Sequence, residues 1–223
     1  MTDDSPRLYL MLPAQPDPVA LPGLLKAALE AGDVACLLVD HSGLAPGDVA
    51  KVIAACKPLC ARYETALLVR DPELAGEPGV DGAHISSRGD DLEKLLDAAV
   101  KKLKPDSIVG AGGVRSRHEA MSAGERDIDY VMFGEPAADG YTPPQDQVVE
   151  RTAWWVEIFN VPCVVYAPQL AMIAPLAAAK RDFLALREAV WADPRGPAAA
   201  VQEAMVILRK AAAISGVSAG ASG

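Results

Sequence analysis

Residues 35–69 open with Ala35-Cys36-Leu37-Leu38-Val39 and close with Ala66-Leu67-Leu68-Val69; between them, Val49 to Arg62 carries apolar residues at helical spacing. Two apolar runs of strand length around a helix-length segment predict a parallel strand pair joined by a crossover helix. Pro46-Gly47-Asp48 opens that helix, with Asp48 as the expected N-cap.

The alternation continues in both directions. Upstream lie a strand from Leu8 to Leu12, ended by Pro13, and a helix from Leu21 to Ala31 that stops at Gly32. Downstream, Pro72 to Pro78 separates the third strand from a fourth at Gly82 to Ile85. Asp91 to Leu103 reads as an amphipathic helix, with Leu92, Leu95, Leu96, Ala99 and Leu103 inward and Lys94, Lys101 and Lys102 outward. Ser107 to Val109 is the fifth strand, and Ser116 caps a helix to about Arg126. Tyr130 to Phe133, Val161 to Tyr166 and Phe183 to Leu186 complete the strands. Helices follow at Gln145 to Phe159, Leu170 to Lys180 and Pro197 to Ala213.

Strand–helix units repeated in this way imply an α/β fold with a parallel sheet. Eight of them fit a closed, eight-stranded (β/α)8 TIM barrel at the compact end of its size range. An open doubly wound sheet is the rival, and it would require two of these runs not to be strands. No linker or composition shift divides the chain. One domain is therefore expected over 1–214, with a flexible Gly/Ala/Ser tail over 215–223.

Composition narrows the function classes. Of the 223 residues, 51% are hydrophobic and 23% charged, an ordinary globular mix. The formal net charge is −9, which argues against a general nucleic-acid binder. Cys36, Cys56, Cys60 and Cys163 have no partner pair at zinc spacing and read as core thiols. The start, MTDDSPR, lacks the apolar run of a signal peptide, so the cytosol is the expected location. Val161 to Ala179 is uncharged, but Pro162, Pro168 and Pro175 make a membrane helix untenable there. The face carrying Trp154 and Trp155 suits barrel packing or a homo-oligomer interface, and both stay open.

A barrel of this kind places its chemistry at the carboxyl ends of its strands. The polar residues just after the runs are Asp40, His41 and Ser42; Arg70 and Asp71; Ser86, Ser87 and Arg88; Gly110 to Gly113; Gly134 and Glu135; Tyr166 and Gln169; and Arg187 and Glu188. Both signs are present, as a charged small molecule requires. Arg70 is placed to pair with an anion, and Arg187 with Glu188 forms a polar pair. His84, inside an apolar strand, reads either as a hydrogen-bonded barrel histidine or as a site residue. His118 reads as part of a solvated helix face. Gly110, Gly112 and Gly113 lead into the helix capped by Ser116, where bare amides could meet an anion with Arg115 and Arg117 assisting. Asp71 could hold Mg2+ or cap the segment that starts at Pro72.

Several stretches carry a family resemblance in the right order: Val69-Arg70-Asp71, Gly79-Val80-Asp81-Gly82-Ala83-His84-Ile85, Ile108-Val109-Gly110-Ala111, Asp129-Tyr130-Val131-Met132-Phe133-Gly134 and Val161-Pro162-Cys163-Val164-Val165. Over about residues 7 to 190 the chain resembles the thiamine-phosphate synthase family, including its thiazole-tautomerase branch. The resemblance implies a (β/α)8 barrel that joins a pyrimidine pyrophosphate to a thiazole phosphate with Mg2+, releasing pyrophosphate. It implies Asp71 as a metal ligand, with a second at Asp90 or its neighbour Asp91. It also implies a thiamine-related phosphate as the ligand, with Arg70, His84 and the glycine turn from Gly110 to Gly113 as the surviving site; Arg187 and Glu188 enter as candidate binding residues from their place after the eighth strand alone.

The chain departs from the family pattern at phosphate contacts. Leu38, Asp40 and Ser42 stand where the family has Gln, Arg and Lys after the second strand. Gly112 replaces a Ser, Ala137 to Thr142 lacks the family Lys, Ala167-Pro168 replaces a Gly-Gly turn, and Glu188 replaces a Ser. Val114 stands where the tautomerase branch places a His, and His118 lies one turn further on. These changes predict a weakened grip on phosphate. The alternatives are a non-catalytic or regulatory small-molecule-binding barrel that lost its phosphate site, or an enzyme on another substrate that uses Arg187 and Glu188.

Overall fold

The computed structural model describes residues 6–13, 15–41, 43–137, 141–177 and 182–220. Eight parallel strands close into a barrel in sequence order: β1 (Arg7–Met11), β2 (Val34–Val39), β3 (Ala66–Val69), β4 (Gly82–Ser86), β5 (Ile108–Gly112), β6 (Tyr130–Phe133), β7 (Cys163–Tyr166) and β8 (Phe183–Leu186). Pairing of β1 with β8, in register from Arg7 opposite Phe183 to Leu10 opposite Leu186, closes the ring and excludes the open sheet.

Period-two alternation along the strands sorts the core into two layers. Leu8, Leu10, Leu37, Val39, Leu67, Val69, Val131, Phe133, Val165 and Leu184 belong to the outer cluster, packed with the helices. Tyr9, Met11, Cys36, Leu38, Leu68, Tyr130, Met132, Val164, Tyr166 and Ala185 form the inner cluster. The helices are α1 (Leu21–Ala31), α2 (Pro46–Arg62), α3 (Gly89–Leu103), α4 (Arg117–Gly124), α5 (Gln145–Ile158), α6 (Ile173–Ala177), α7 (Glu188–Trp191) and α8 (Pro197–Gly220).

Local chemistry moves several expected boundaries. Ala45, not Asp48, is the N-cap of α2, because Pro46 with its fixed φ takes the first helical position. Asp48 then lies inside the first turn and pairs with Lys51 at 2.9 Å. Leu95, expected inward on α3, is 47% exposed. The segment from Leu170 splits into a 3₁₀ turn (Leu170–Met172) and α6, and the end expected at Lys180 lies outside the described residues. A short helix not expected from the sequence, α7, follows β8, and α8 runs to Gly220, past the expected end at Ala213. All four cysteines are buried, and burial pushes the Cys56 thiol up to about 12. No described helix is long and apolar enough to cross a membrane.

The amino-terminal rim is built by one repeated device. An aspartate stands immediately before each even-numbered strand: Asp33, Asp81, Asp129 and Asp182. Three of them reach to the preceding odd strand and accept a backbone amide. Asp81 takes that of Leu67 at 2.7 Å, Asp129 that of Val109 at 2.7 Å, and Asp182 that of Cys163 at 2.9 Å. The fourth, Asp33, holds the Arg7 guanidinium of β1 at 2.7 and 2.9 Å. Asp81 and Asp129 therefore act as clamps of the barrel floor.

Candidate functional site

At the opposite rim the strand ends converge on the Glu135 carboxylate. Glu135 leaves β6 two residues past Phe133, and its side chain is 2% exposed. Its Oε2 accepts from Ser86 Oγ at 2.8 Å, from the Gly113 amide at 3.1 Å and from His84 Nε2 at 3.3 Å. Its Oε1 accepts from Arg70 Nη2 at 2.6 Å. Burial pushes the Glu135 carboxyl up, but His84 and the Arg70 guanidinium outweigh it, and the group sits well below the ordinary carboxylate range.

Below this hub a polar chain runs into the barrel. His84 is fully buried, and its Nδ1 lies 2.8 Å from the Tyr130 hydroxyl. The Tyr130 hydroxyl in turn lies 2.9 Å from that of Tyr9. A carboxylate only accepts, so the Nε2 proton of His84 points to Glu135. Nδ1 then meets the Tyr130 hydroxyl, and Tyr130 meets Tyr9, so each polar atom of the chain has a hydrogen-bond partner. Burial holds both tyrosines well above the ordinary phenol range. Gly110 and Gly112 make the space for this chain. A Cβ at Gly110 would overlap the Tyr130 ring, and one at Gly112 would overlap both Glu135 and His84.

A second arc of charge closes the mouth. Arg70, 18% exposed at its side chain, also lies 3.2 Å from the buried Asp40. Asp40 lies 3.8 Å from Arg187, whose Nε donates to Glu188 at 2.7 Å. The Tyr166 hydroxyl donates to Glu188 at 3.1 Å. Burial works against the Arg70 charge, yet Glu135 and Asp40 raise its pKa further. Among the described residues two guanidiniums thus face three carboxylates, and each guanidinium already has a carboxylate on it.

The structure brings Arg70, His84, Gly110, Gly112, Gly113, Arg187 and Glu188 to this one mouth and the barrel interior just below it. Asp71 stands at the same rim, half-buried, with Oδ1 accepting from the Glu73 amide at 2.8 Å, the capping role. Asp90 lies in the first turn of α3 and is exposed. No group of three or more His, Cys, Asp or Glu side chains able to hold a metal ion occurs among the described residues. Of the two expected metal ligands, Asp71 stands at the mouth rim and Asp90 on the exposed first turn of α3. His118 is exposed on α4. Ser42 and residues 138–140 lie outside the described residues.

The amides expected to be bare are taken. Glu119 Oε2 accepts from the amides of Arg115 at 2.8 Å and Ser116 at 2.9 Å, as half of a capping box with Ser116. Gly113, with φ of 74° in the left-handed region, turns its amide to Glu135. The hub role of Glu135 and the inner ends of the chain, Tyr9 and Tyr130, were not legible beforehand. The available signal was that Asp40 directly follows β2 and Glu135 lies two residues past β6, with Arg70 also on that rim.

Comparisons with known proteins agree with the barrel. The family described as thiamine monophosphate synthase (TMP-TENI) matches residues 8–190. A thiamine-phosphate synthase of Rhodospirillum centenum is 36% identical over 206 residues, covering 91% of this chain and 98% of the relative. One of Hyphomonas neptunium is 35% identical, covering 88% and 90%. Among solved structures, a thiamine phosphate pyrophosphorylase from Pyrococcus furiosus superposes with a TM-score of 0.75 over 95% of this chain and 99% of its own. At 18% identity that likeness bears on the fold alone.

Proposed function

The chain belongs to the thiamine monophosphate synthase family, and from that premise we propose that it joins a pyrimidine pyrophosphate to a thiazole phosphate at its barrel mouth, slowly, because its own carboxylates compete for the cations there. The observation that carries this is the similarity along nearly the whole length of relatives named thiamine-phosphate synthase. The geometry supports it: polar groups from β2 through β8 gather at the end where barrels of this kind perform chemistry.

In the family reaction the bond between the pyrimidine methylene carbon and pyrophosphate breaks, and the thiazole nitrogen bonds to that carbon. Negative charge builds on the departing pyrophosphate, so catalysis needs positive charge already in place. Arg70 and Arg187 are the guanidiniums of the mouth network that can face it. Neither is vacant: Arg70 is held by Glu135 and Asp40, and Arg187 by Glu188. Magnesium, carried in by phosphate oxygens, would add positive charge there, with Asp71 as the carboxylate of this chain nearest in kind.

The test mixes the protein with the pyrimidine pyrophosphate, the thiazole phosphate and Mg2+ and follows pyrophosphate. Release that needs both substrates is expected. Tight binding of thiamine phosphate without release would make the chain a binding barrel. Neither release nor binding would move its substrate outside thiamine chemistry.

A further inference from the structure

We infer that Glu135 is a built-in occupant of an oxyanion cradle: its carboxylate fills the place that a ligand phosphate or carboxylate would otherwise take among Arg70, His84, Ser86 and Gly113. Resting as it does on the mouth being the ligand site, this assigns Glu135 as the residue that decides whether an anionic group can enter that subsite.

Four different kinds of donor meet on one group. They are a guanidinium, an imidazole N–H, a hydroxyl and a backbone amide, at 2.6, 3.3, 2.8 and 3.1 Å. They come from the ends of β3, β4 and β5, whereas the carboxylate arrives from the end of β6. Convergence of charged and neutral donors on both oxygens is the arrangement by which proteins hold a bound oxyanion. The surrounding backbone is shaped to the same end. Gly113 adopts the left-handed region that turns its amide inward, and Gly112 lacks the Cβ that would overlap the carboxylate. The occupant is tethered, so its effective concentration is far above that of a free anion. A phosphate offered from solution therefore meets a cradle whose donors are spent.

An ion pair of purely structural role would leave a different trace once truncated. Its gap would collapse or fill with water, and no anion would saturate it. Glu135→Ala should instead bind inorganic phosphate in a saturable way, with the Gly113 amide resonance shifting and the melting temperature rising. The gain in affinity over wild type should be about tenfold or more, the scale of removing a like charge from a desolvated site. Glu135→Gln keeps the bulk and an acceptor oxygen, so phosphate should still be shut out. In the wild-type protein the Gly113 amide should not respond to phosphate at the concentrations that saturate Glu135→Ala.

A folded Glu135→Ala protein with no saturable phosphate response would overturn the inference. So would a wild-type Gly113 amide that titrates with millimolar phosphate, a measurement available even if the alanine variant does not fold. None of these readouts needs turnover. A chain that releases no pyrophosphate can still bear out the cradle, and an active chain can still refute it.

Discussion

The two rims of this barrel use carboxylates in opposite ways. On the amino-terminal rim, Asp81, Asp129 and Asp182 accept backbone amides of Leu67, Val109 and Cys163, one clamp repeated between successive strand pairs. On the carboxyl-terminal rim, Asp40, Glu135 and Glu188 are held mainly by side chains, Arg70 and Arg187 above all, with one backbone amide, that of Gly113, on Glu135, in a network that does not repeat. An amide clamp fixes geometry that is needed whatever the ligand. A side-chain network can be re-paired, so a ligand can compete for it. In a barrel the first kind of residue reads as stability and the second as function.

The sharpest way to break this contrast is Glu135→Ala. Removing a fully desolvated carboxylate leaves the His84 and Ser86 donors without it and Arg70 with Asp40 alone, at a cost of about 3–5 kcal/mol in chemical unfolding. The same change should open the mouth to phosphate. Asp129→Ala should cost less, about 1–3 kcal/mol, because it orphans the buried Val109 amide and frees Lys104. It should leave thiamine-phosphate binding unchanged. Equal ligand effects from both variants, measured by calorimetric titration, would erase the distinction between the rims.

The floor and the mouth were unequally legible in the sequence. β3, β6 and β8 are short apolar runs between turn residues, and parallel strands buried on both faces must look that way. Their expected bounds coincide with the observed ones. β5 was read short because Gly110, Ala111 and Gly112 have no bulk to signal a strand, yet that lack of bulk is their purpose. Asp81 and Asp129 stood inside the family-like stretches, but nothing local says that their partners lie 14 and 20 residues back in the chain. Glu135 was visible only as one more polar residue after a strand. Its role depends on Arg70, 65 residues away, which only the closed ring brings to it. The glycine turn read as an anion site; in the structure its Gly113 amide meets the chain's own Glu135, and the amides just beyond it, of Arg115 and Ser116, meet Glu119.

Acid tests the Glu135 hub in a further way. The Glu135 carboxyl lies far below its unfolded value, so its stabilisation is fully present above the ordinary carboxylate value of about 4.3. It is lost as pH falls through the folded-state value. The stability gap between wild type and Glu135→Gln should therefore shrink steadily as pH drops from about 5 toward 2. A gap that stays constant over that range, read from urea unfolding, would mean that the carboxylate charge is not what holds the hub.

The smallest effect belongs at the start of α4, where a carboxylate serves local structure even though it stands on the ligand rim. Ser116 Oγ accepts from the Glu119 amide at 3.1 Å, while Glu119 gathers the Arg115, Ser116 and Gly89 amides. Burial opposes ionisation of Glu119, and the Arg115 and Gly89 amides outweigh it and lower its pKa. Like the floor aspartates, this group spends itself on backbone, so position on the rim does not decide its role; its partners do. Ser116→Ala removes the cap bond and the hydroxyl's bond to the Glu119 carboxylate but leaves the Glu119 bonds to backbone amides, so unfolding should ease by about 1 kcal/mol. Phosphate should gain nothing, because Glu119 still covers the amides. A phosphate response from Ser116→Ala as large as that from Glu135→Ala would place the anion cradle at the helix start instead of at Glu135.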